Sequence, residues 1–288
     1  MRVSLLWILC YLVLAPFLGG LLDGCDRKIS ARMQGRIGPP LLQPFYDVQK
    51  LFNKQTIAVR RAQAAFLLVY MIMMIFTGCM FYGGTDILMC FFVLSTAATF
   101  LYFAAVVTNS PYSTIGASRE LIQMMTYEPA VLFTCVGFYL ATGTFTVSSI
   151  VKSNVSSILY LPGFFFAFVF ILTIKMRKSP FDTSASHHPH QELVKGLTTE
   201  FGAKNLAFFT ITEWYENIFL LGVVGLFIVN RHPISWVIAV LVVLAVYFLE
   251  ILIDNTSARV KQETMLKITY TVTLLSAGIN TLVLMLVR

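Results

Sequence analysis

Two glutamates, Glu213 and Glu216, lie three residues apart inside an otherwise apolar stretch of the sequence. Residues at this spacing share one face of a helix, so the two carboxylates point the same way. Like charges held this close in apolar surroundings favour protonation of at least one of the two groups. Such a pair can take up and release a proton near neutral pH. The alternative is a solvated pair at the end of a helix, balanced by a basic residue of a neighbouring loop.

Two further glutamates lie in apolar stretches, where a charged side chain costs about 2.5–3.5 kcal/mol at the centre of a membrane helix. Glu128 precedes Pro129 and is predicted to open a helix. It serves there either in proton transfer or as a cap that the helix dipole stabilises. Glu250 lies four residues before Asp254, so both share one helix face. Glu250 is a candidate for proton transfer and, equally, for solvation near the membrane interface.

Three of the four histidines, His187, His188 and His190, fall within four positions. Pro189 interrupts the helical spacing that a pair of metal-binding histidines needs, and no cysteine lies nearby. The cluster therefore predicts no metal site. Because histidine titrates at about pH 6.5, the cluster indicates either proton handling or an ordinary solvated loop.

The five cysteines form no C-x-x-C pair and no spacing typical of a metal or iron–sulfur site. Their odd number and their position, mostly in apolar stretches, also argue against a disulfide framework. We therefore expect no cofactor in this chain. Any redox centre that acts with it must belong to another subunit.

The elements that must position these groups are membrane helices. Hydrophobic residues make up 57% of the 288 residues and charged residues 12%, against about 25% charged residues in soluble domains. A water-facing surface cannot be built from so few charges. The sequence predicts an all-α membrane protein, one polytopic domain over 1–288 with about eight transmembrane helices. The predicted spans are about 3–22, 62–84, 87–108, 129–148, 157–174, 205–229, 233–253 and 267–287.

The basic residues indicate the orientation of these spans. Seventeen of the 21 lysines and arginines lie on one side, mostly in the loops 23–61 and 175–204. This excess predicts that the long loops are cytoplasmic and that both termini lie outside. It also accounts for the net charge of +7, so no nucleic-acid partner is expected. The first span lacks a small-residue cleavage site, which favours a membrane helix over a signal peptide.

The first long loop contains an additional predicted element. In 44–54, Phe45 and Val48 recur at helical spacing while Asp47 and Lys50 occupy the other face, which predicts an amphipathic helix in the membrane interface. Cations precede it, and part of their charge meets anionic lipid. A rigid turn at Gly38-Pro39 lies between these cations and the predicted helix, and binding to lipid alone does not explain this turn. The predicted partner-docking residues are Arg27, Lys28, Arg32, Arg36, Gly38, Pro39, Asp47 and Lys50.

A series of motifs runs through the loops along essentially the whole chain. They are Asp26-Arg27-Lys28, Gln34-Gly35-Arg36-Ile37-Gly38-Pro39, Leu42-Gln43-Pro44, Asp47-x-x-Lys50-Leu51, Gly116-Ala117-Ser118-Arg119-Glu120, Tyr127-Glu128, Pro180-Phe181-Asp182, Glu192-Leu193-Val194-x-Gly196 and Glu200. In this order they resemble the subunit 1 family of respiratory complex I, the NADH-quinone oxidoreductase. The resemblance implies the eight-span fold of that family.

The chain departs from complex I in two places. The link from Gly38-Pro39 to Leu42-Gln43-Pro44 is shorter, and 183–191 carries serines and histidines in place of an acidic E-x-E pattern. Both segments frame the quinone chamber in complex I, so their change predicts a redox module that docks without a quinone. The histidine-rich segment and Glu213-Trp214-Tyr215-Glu216 are more similar to the membrane subunits of group 4 energy-converting (Ech-type) nickel–iron hydrogenases. The family's glutamate in this span corresponds to either Glu213 or Glu216.

The resemblance implies a coupling subunit with no redox centre and no catalytic residue of its own. Hydrogenase large and small subunits and a ferredoxin-like subunit, with their nickel–iron centre and iron–sulfur clusters, would dock on the cytoplasmic loops. Electrons would pass from ferredoxin to protons to make hydrogen, and H⁺ or Na⁺ would move outward with the help of antiporter-like membrane subunits. The alternatives are the corresponding subunit of complex I or formate hydrogenlyase, and an ion transporter that works alone.

The carboxylates and the resemblance together define a predicted proton or ion pathway. The loops 109–127 and 177–204 are the predicted two-state elements that link this pathway to the redox reaction. The predicted pathway residues are Glu128, Glu213, Glu216, Asp182, Glu192, Glu200 and Glu250.

Overall fold

The protein is an all-α membrane protein, as its hydropathy pattern predicts. The computed structural model describes residues 2–55, 60–184 and 195–287. In this part of the chain the α-helices are α1 Arg2–Met33, α2 Gln43–Asn53, α3 Arg61–Tyr82, α4 Ile87–Val106, α5 Pro111–Thr142, α6 Val147–Val151, α7 Pro162–Lys175, α8 Ala203–Leu226, α9 Pro233–Thr256, α10 Gln262–Thr273 and α11 Ile279–Val287. Short 3₁₀ turns occur at Ser157–Leu159 and Gly196–Thr198, and a π turn joins α10 to α11.

Each of the eight predicted spans overlaps at least one helix, and the last span corresponds to the continuous α10–α11 rod. Within the described residues, six helices are long and apolar enough to cross a bilayer, namely α1, α3, α4, α5, α9 and the α10–α11 rod. The apolar α7 is shorter, with 14 residues, and α8 has 24 residues that include Glu213 and Glu216. Large apolar side chains such as Leu241 and Leu282 point outward and are exposed, as side chains that face lipid are.

Two boundaries predicted for the fourth span are wrong, and the difference matters for the site. α5 begins at Pro111 instead of 129, because proline suits the first turn of a helix, where its missing N–H is not needed. Pro129 lies inside α5, where neighbouring helices of a membrane bundle make an internal proline tolerable. Residues 111–127 are therefore helix and not loop, and Glu128 lies in the helix interior instead of at an N-terminus. At the other end, α5 stops at Thr142.

The first and fifth spans also differ from their predicted bounds. α1 continues to Met33 instead of ending near residue 22, because an ion pair between Asp23 and Arg27, one turn apart, supports its polar continuation. α7 begins at Pro162, five residues later than predicted, since Ser157–Leu159 forms a separate 3₁₀ turn.

The predicted amphipathic helix in 44–54 is confirmed as α2. Its apolar residue Val48 is buried and packs with Ala207 and Trp214 of α8, and the ring centres of Phe45 and Trp214 lie 5.3 Å apart. On the polar side of α2, Asp47 accepts a hydrogen bond from Arg27 of α1. α2 is thus fixed to both α1 and α8. The side of the molecule that holds α2 and residues 176–184 and 195–202 is termed the loop side below.

The segment that precedes α8 is pressed against α5 at a glycine. A Cβ atom on Gly116 would lie 2.3 Å from the backbone nitrogen of Leu197, so a residue with a side chain cannot occupy this position without displacing the backbone. The Leu197 N–H in turn donates to the carbonyl of Ser184 at 3.0 Å. This contact holds Ser184 beside Glu120, one helical turn after Gly116.

Candidate functional site

Three buried cations lie at the end of α7 and directly after it. Lys175, Arg177 and Lys178 are each less than 10% exposed, and buried cations require carboxylate partners. Five carboxylates from four helices serve this purpose. They are Glu213 and Glu216 on α8, Glu120 on α5, Asp26 on α1 and Asp254 on α9. These three cations and five carboxylates are termed the ion-pair network.

Lys175 and Glu216 form the most deeply buried pair of the network. The Lys175 ammonium donates to Glu216 Oε1 at 2.9 Å, and both side chains are 6% exposed. The Tyr70 hydroxyl donates to the other oxygen of Glu216 at 3.2 Å. Lys175 Nζ also lies 4.4 Å from the centre of the Tyr127 ring, a cation–π contact that adds to the stability of the buried cation. This pair has equal numbers of positive and negative groups.

Arg177 connects α5 to α8 through two carboxylates. Its guanidinium donates to Glu213 Oε1 at 2.7 Å and to Glu120 Oε1 at 2.9 Å. Burial alone would lower the pKa of Arg177, but the two carboxylates raise it well above its ordinary value, so the side chain stays cationic. Glu120 also accepts a hydrogen bond from the Ser184 hydroxyl. One cation therefore serves two carboxylates here.

Lys178 connects α1 to α9 in the same way. Its ammonium pairs with Asp26 and with Asp254, the latter at 3.3 Å. Asp254 also accepts a hydrogen bond from the Ser179 N–H at 2.8 Å. Burial lowers the pKa of Lys178, and the two aspartates outweigh this effect and raise it above its ordinary value. Lys178 is thus a cation throughout the physiological pH range.

The ratio of carboxylates to cations defines what this arrangement can do chemically. Arg177 and Lys178 each hold two carboxylates, and Arg27 repeats the pattern with Asp23 and Asp47. Each of these three groups has one carboxylate in excess of its cation. In the two groups whose cations are buried, those of Arg177 and Lys178, a proton that binds restores the charge balance in a medium of low dielectric constant. The site is therefore suited to binding and releasing protons.

Two of the predicted pathway residues belong to the ion-pair network, and a third, Asp182, forms an ion pair outside it. Glu213 and Glu216 both belong to the ion-pair network, each with a different cation. Asp182 forms a separate ion pair with Arg259. The predicted residues Glu192, His187, His188 and His190 lie outside the described part of the chain.

Three predicted pathway residues are not members of the ion-pair network. Glu128 is half-buried beside a cavity of about 80 Å³ that Ser95 also lines. Glu200 is half-buried, and its backbone carbonyl accepts a hydrogen bond from Gln63. Glu250 is fully buried in α9. Their pathway roles therefore remain predictions.

The predicted docking residues divide into those that are engaged in ion pairs and those that are accessible. Arg27 is engaged with the two aspartates described above, so it holds α1 and α2 together. Arg32, Arg36 and Lys50 are exposed on the loop side. Gly38 has a φ of +78°, a left-handed conformation that glycine adopts without strain. The turn thus presents Arg36 at the surface with a defined backbone.

Sequence reasoning missed most of the counter-ions in the network. In the sequence, Lys175, Arg177 and Lys178 indicate only membrane orientation, and Glu120 belongs only to a motif. The available signal was three cations within four residues directly at the end of an apolar run. Cations at the end of a span are also the ordinary signal of membrane orientation, so the run alone does not identify its carboxylate partners on α1, α5, α8 and α9.

A cavity of about 970 Å³ opens beside the ion-pair network on the loop side. The residues of α2, the turn around Gly38 and the end of α7 line it, together with Glu213 and Glu216. Nine basic and seven acidic side chains face this cavity, so water and ions can reach the network from the loop side. Among the described residues, no three His, Cys, Asp or Glu side chains converge in a way that could hold a metal ion.

Known proteins are similar to this chain in sequence and in fold. Residues 5–285 match the protein family described as NADH dehydrogenase. Hydrogenase-4 component C of Escherichia coli strain K12 is 27% identical over 286 residues, which cover 88% of each protein. A subunit of the NADH-quinone oxidoreductase of Aquifex aeolicus strain VF5 is 26% identical over 244 residues, 74% of this chain and 72% of the relative. A chain from a solved structure of a membrane-bound sulfane sulfur reductase, an archaeal respiratory membrane complex, has the same fold, with a TM-score of 0.87. The two chains are 23% identical, and the match covers 98% of this chain and 99% of the other.

Proposed function

Because this chain belongs to the NADH dehydrogenase family, we propose that it couples a redox reaction in soluble subunits to ion movement in the membrane. The chain is a membrane subunit of a complex I-like or group 4 hydrogenase-type energy-converting complex. Its partners are oxidoreductase subunits and other membrane subunits. Within this class we propose a ferredoxin-dependent nickel–iron hydrogenase that links hydrogen evolution to the translocation of H⁺ or Na⁺. The similarity to hydrogenase-4 component C supports this choice.

The observation that carries the proposal is the excess of carboxylates over buried cations in the ion-pair network. Arg177 joins α5 to α8, and Lys178 joins α1 to α9, so a change of charge at one carboxylate alters contacts between helices. The loop-side cavity gives the network access to the soluble partners. A redox event at that surface can therefore change the protonation of the network, and the network can change the packing of the helices.

The proposed docking surface for the soluble subunits is the loop side around α2. Arg32, Arg36 and Lys50 are exposed there, and arginine forms forked hydrogen bonds with partner carboxylates. The hydrogenase large and small subunits and a ferredoxin-like subunit would bind this surface and carry the nickel–iron centre and the iron–sulfur clusters. Antiporter-like subunits would contact the chain within the membrane.

The charged lining of the loop-side cavity supports electron transfer without a quinone. The sixteen ionisable side chains that line this cavity make it strongly polar, and an apolar quinone tail would have to displace the water that solvates their exposed parts. Proton reduction by ferredoxin needs no quinone. We propose that the cavity holds water and ions and gives protons access to Glu213 and Glu216.

The proposed reaction can be tested with the purified complex in quinone-free liposomes. We expect reduced ferredoxin to drive both hydrogen evolution and ion uptake or release, measured with a hydrogen electrode and an ion-sensitive dye. An uncoupling ionophore should abolish the ion gradient and leave hydrogen evolution intact. If either activity requires added quinone, the hydrogenase proposal is wrong and the chain serves a complex I-type enzyme.

We also propose that the loop side is cytoplasmic and that both termini lie outside. In a variant whose five cysteines are replaced, a Lys152→Cys change places one thiol on the side opposite α2, and a Lys54→Cys change places one next to α2. An impermeant thiol reagent added to intact cells is expected to label the first variant and not the second. The reverse pattern would place the soluble partners outside and contradict the orientation.

A further inference from the structure

Glu250 is a buried carboxyl group that the ion-pair network does not use. Its residue is 0% exposed, and neither carboxylate oxygen has a hydrogen-bond partner among the described residues. A carboxylate ion with no donor in a buried site is strongly unfavourable, whereas the neutral acid is tolerated. The burial and the missing donors together indicate that Glu250 carries a proton.

The position of Glu250 on α9 links it to the loop-side cavity. Tyr247, Glu250 and Asp254 follow one another at helical spacing on one face, and Tyr247 and Asp254 both line the cavity. Glu250 therefore lies between two residues that border water, behind a lining that includes Asp254. Asp254 is in turn held by Lys178, which it shares with Asp26 of α1.

The charged groups near this face of α9 favour Asp254 as the route for a proton to Glu250. Lys178 and Asp254 are the charged groups that act on Glu250, and Lys178 stays cationic. Beside Glu250 in the sequence, Tyr247 and Ile251 of α9 form a buried, mainly apolar cluster with Leu221 of α8. Its members are Leu221, Tyr247 and Ile251, with Leu22, Ile29, Met176 and Val243 packed against them.

We infer that Glu250 is a proton store that is filled and emptied from the loop-side cavity through Asp254. The proton is transferred from cavity water to the Asp254 carboxylate and from there to the Glu250 carboxylate, and it leaves by the same route. No electron is involved. The store is distinct from the Glu213 and Glu216 pair on α8, because it exchanges through the Asp26, Lys178 and Asp254 group. Its use during ion transport rests on the proposed function.

Infrared spectroscopy of the intact, resting complex tests this inference without turnover. At neutral pH we expect an infrared band from the carbonyl stretch of a protonated carboxyl group, and this band should be absent in Glu250→Gln. It should be present in the control Glu263→Gln, which removes an exposed glutamate at the start of α10. In D₂O this band should shift as the proton exchanges. Asp254→Asn should slow the exchange by at least about tenfold, because a positioned proton-transfer group is removed.

Several outcomes would overturn the inference. The absence of a protonated carboxyl band in the unmodified complex at neutral pH would show that Glu250 is ionised. A band that does not exchange, or that exchanges at the same rate in Asp254→Asn, would show that Asp254 is not the route. If Glu250→Gln fails to assemble, Glu250→Asp keeps the acid, and a shifted band in that variant assigns the signal. None of these results depends on ferredoxin, so the proposed function can fail while the proton store stands.

Discussion

Replacing Arg177 by methionine is expected to lower the free energy of unfolding of the subunit by about 3–5 kcal/mol, because it leaves buried carboxylates without their cation. Arg177 is the counter-ion of both Glu120 and Glu213. Methionine fills a similar volume but supplies no charge. Denaturant titration of the purified complex in detergent, followed by tryptophan fluorescence, measures the loss. Arg177→Lys should give an intermediate loss, because one ammonium does not reproduce the forked contacts of a guanidinium.

The matched control for this prediction is Arg231→Met. Arg231 is exposed just before the start of α9, on the side opposite the loop side, and surface substitutions of this kind usually change stability by about 0.5 kcal/mol or less. The comparison separates the loss of a buried counter-ion from a general effect of removing an arginine. Equal stability of the two variants would mean that Glu120 and Glu213 are neutral in the folded protein.

Replacing Glu213 by glutamine is expected to abolish most ion transport and leave assembly intact. The substitution removes one of the two carboxylates on Arg177, so the remaining group of Arg177 and Glu120 has equal charges. Stability should therefore change little. Transport should fall about a hundredfold, the typical effect of removing a positioned proton-transfer group. The measurement is the number of ions moved per electron transferred, obtained by recording hydrogen evolution and ion movement together in liposomes.

Two further variants make the Glu213 result interpretable. Glu263→Gln removes an exposed glutamate and should transport ions at the normal rate. Glu216→Gln should lose stability as well as transport, because Lys175 then has no carboxylate partner. Normal transport in Glu213→Gln would mean that Glu213 serves the packing of α5 against α8 and takes no part in coupling.

The positions of the helices were predictable from the sequence because hydropathy reports directly on the surrounding solvent. The amphipathic α2 was predictable for the same reason, since Val48 and its neighbours repeat at helical spacing. The bounds of α5 were not, because Pro129 has the appearance of a helix start when the packing around it is unknown. Residues 111–127 could then only be interpreted as a loop.

The partners in the ion-pair network were beyond sequence reasoning for a different reason. Glu213 and Glu216 stood out because carboxylates are rare in apolar stretches. Their cations did not, because lysine and arginine at the end of a span have an independent explanation in membrane orientation. Lys178 and Asp26 are 152 residues apart in the chain, and no local periodicity relates residues at such a distance. Only the three-dimensional arrangement reveals that one cation serves two carboxylates.

The contact between α2 and α8 has a mechanical consequence. Trp214 follows Glu213 directly, its indole ring rests on Phe45 of α2, and its N–H donates to Asp23 of α1 at 3.4 Å. A soluble subunit that binds α2 is therefore connected, through Phe45 and Trp214, to the residue next to Glu213. A displacement of α2 would move the Trp214 indole and with it the backbone of α8. The Glu213 carboxylate would then change its distance from the Arg177 guanidinium.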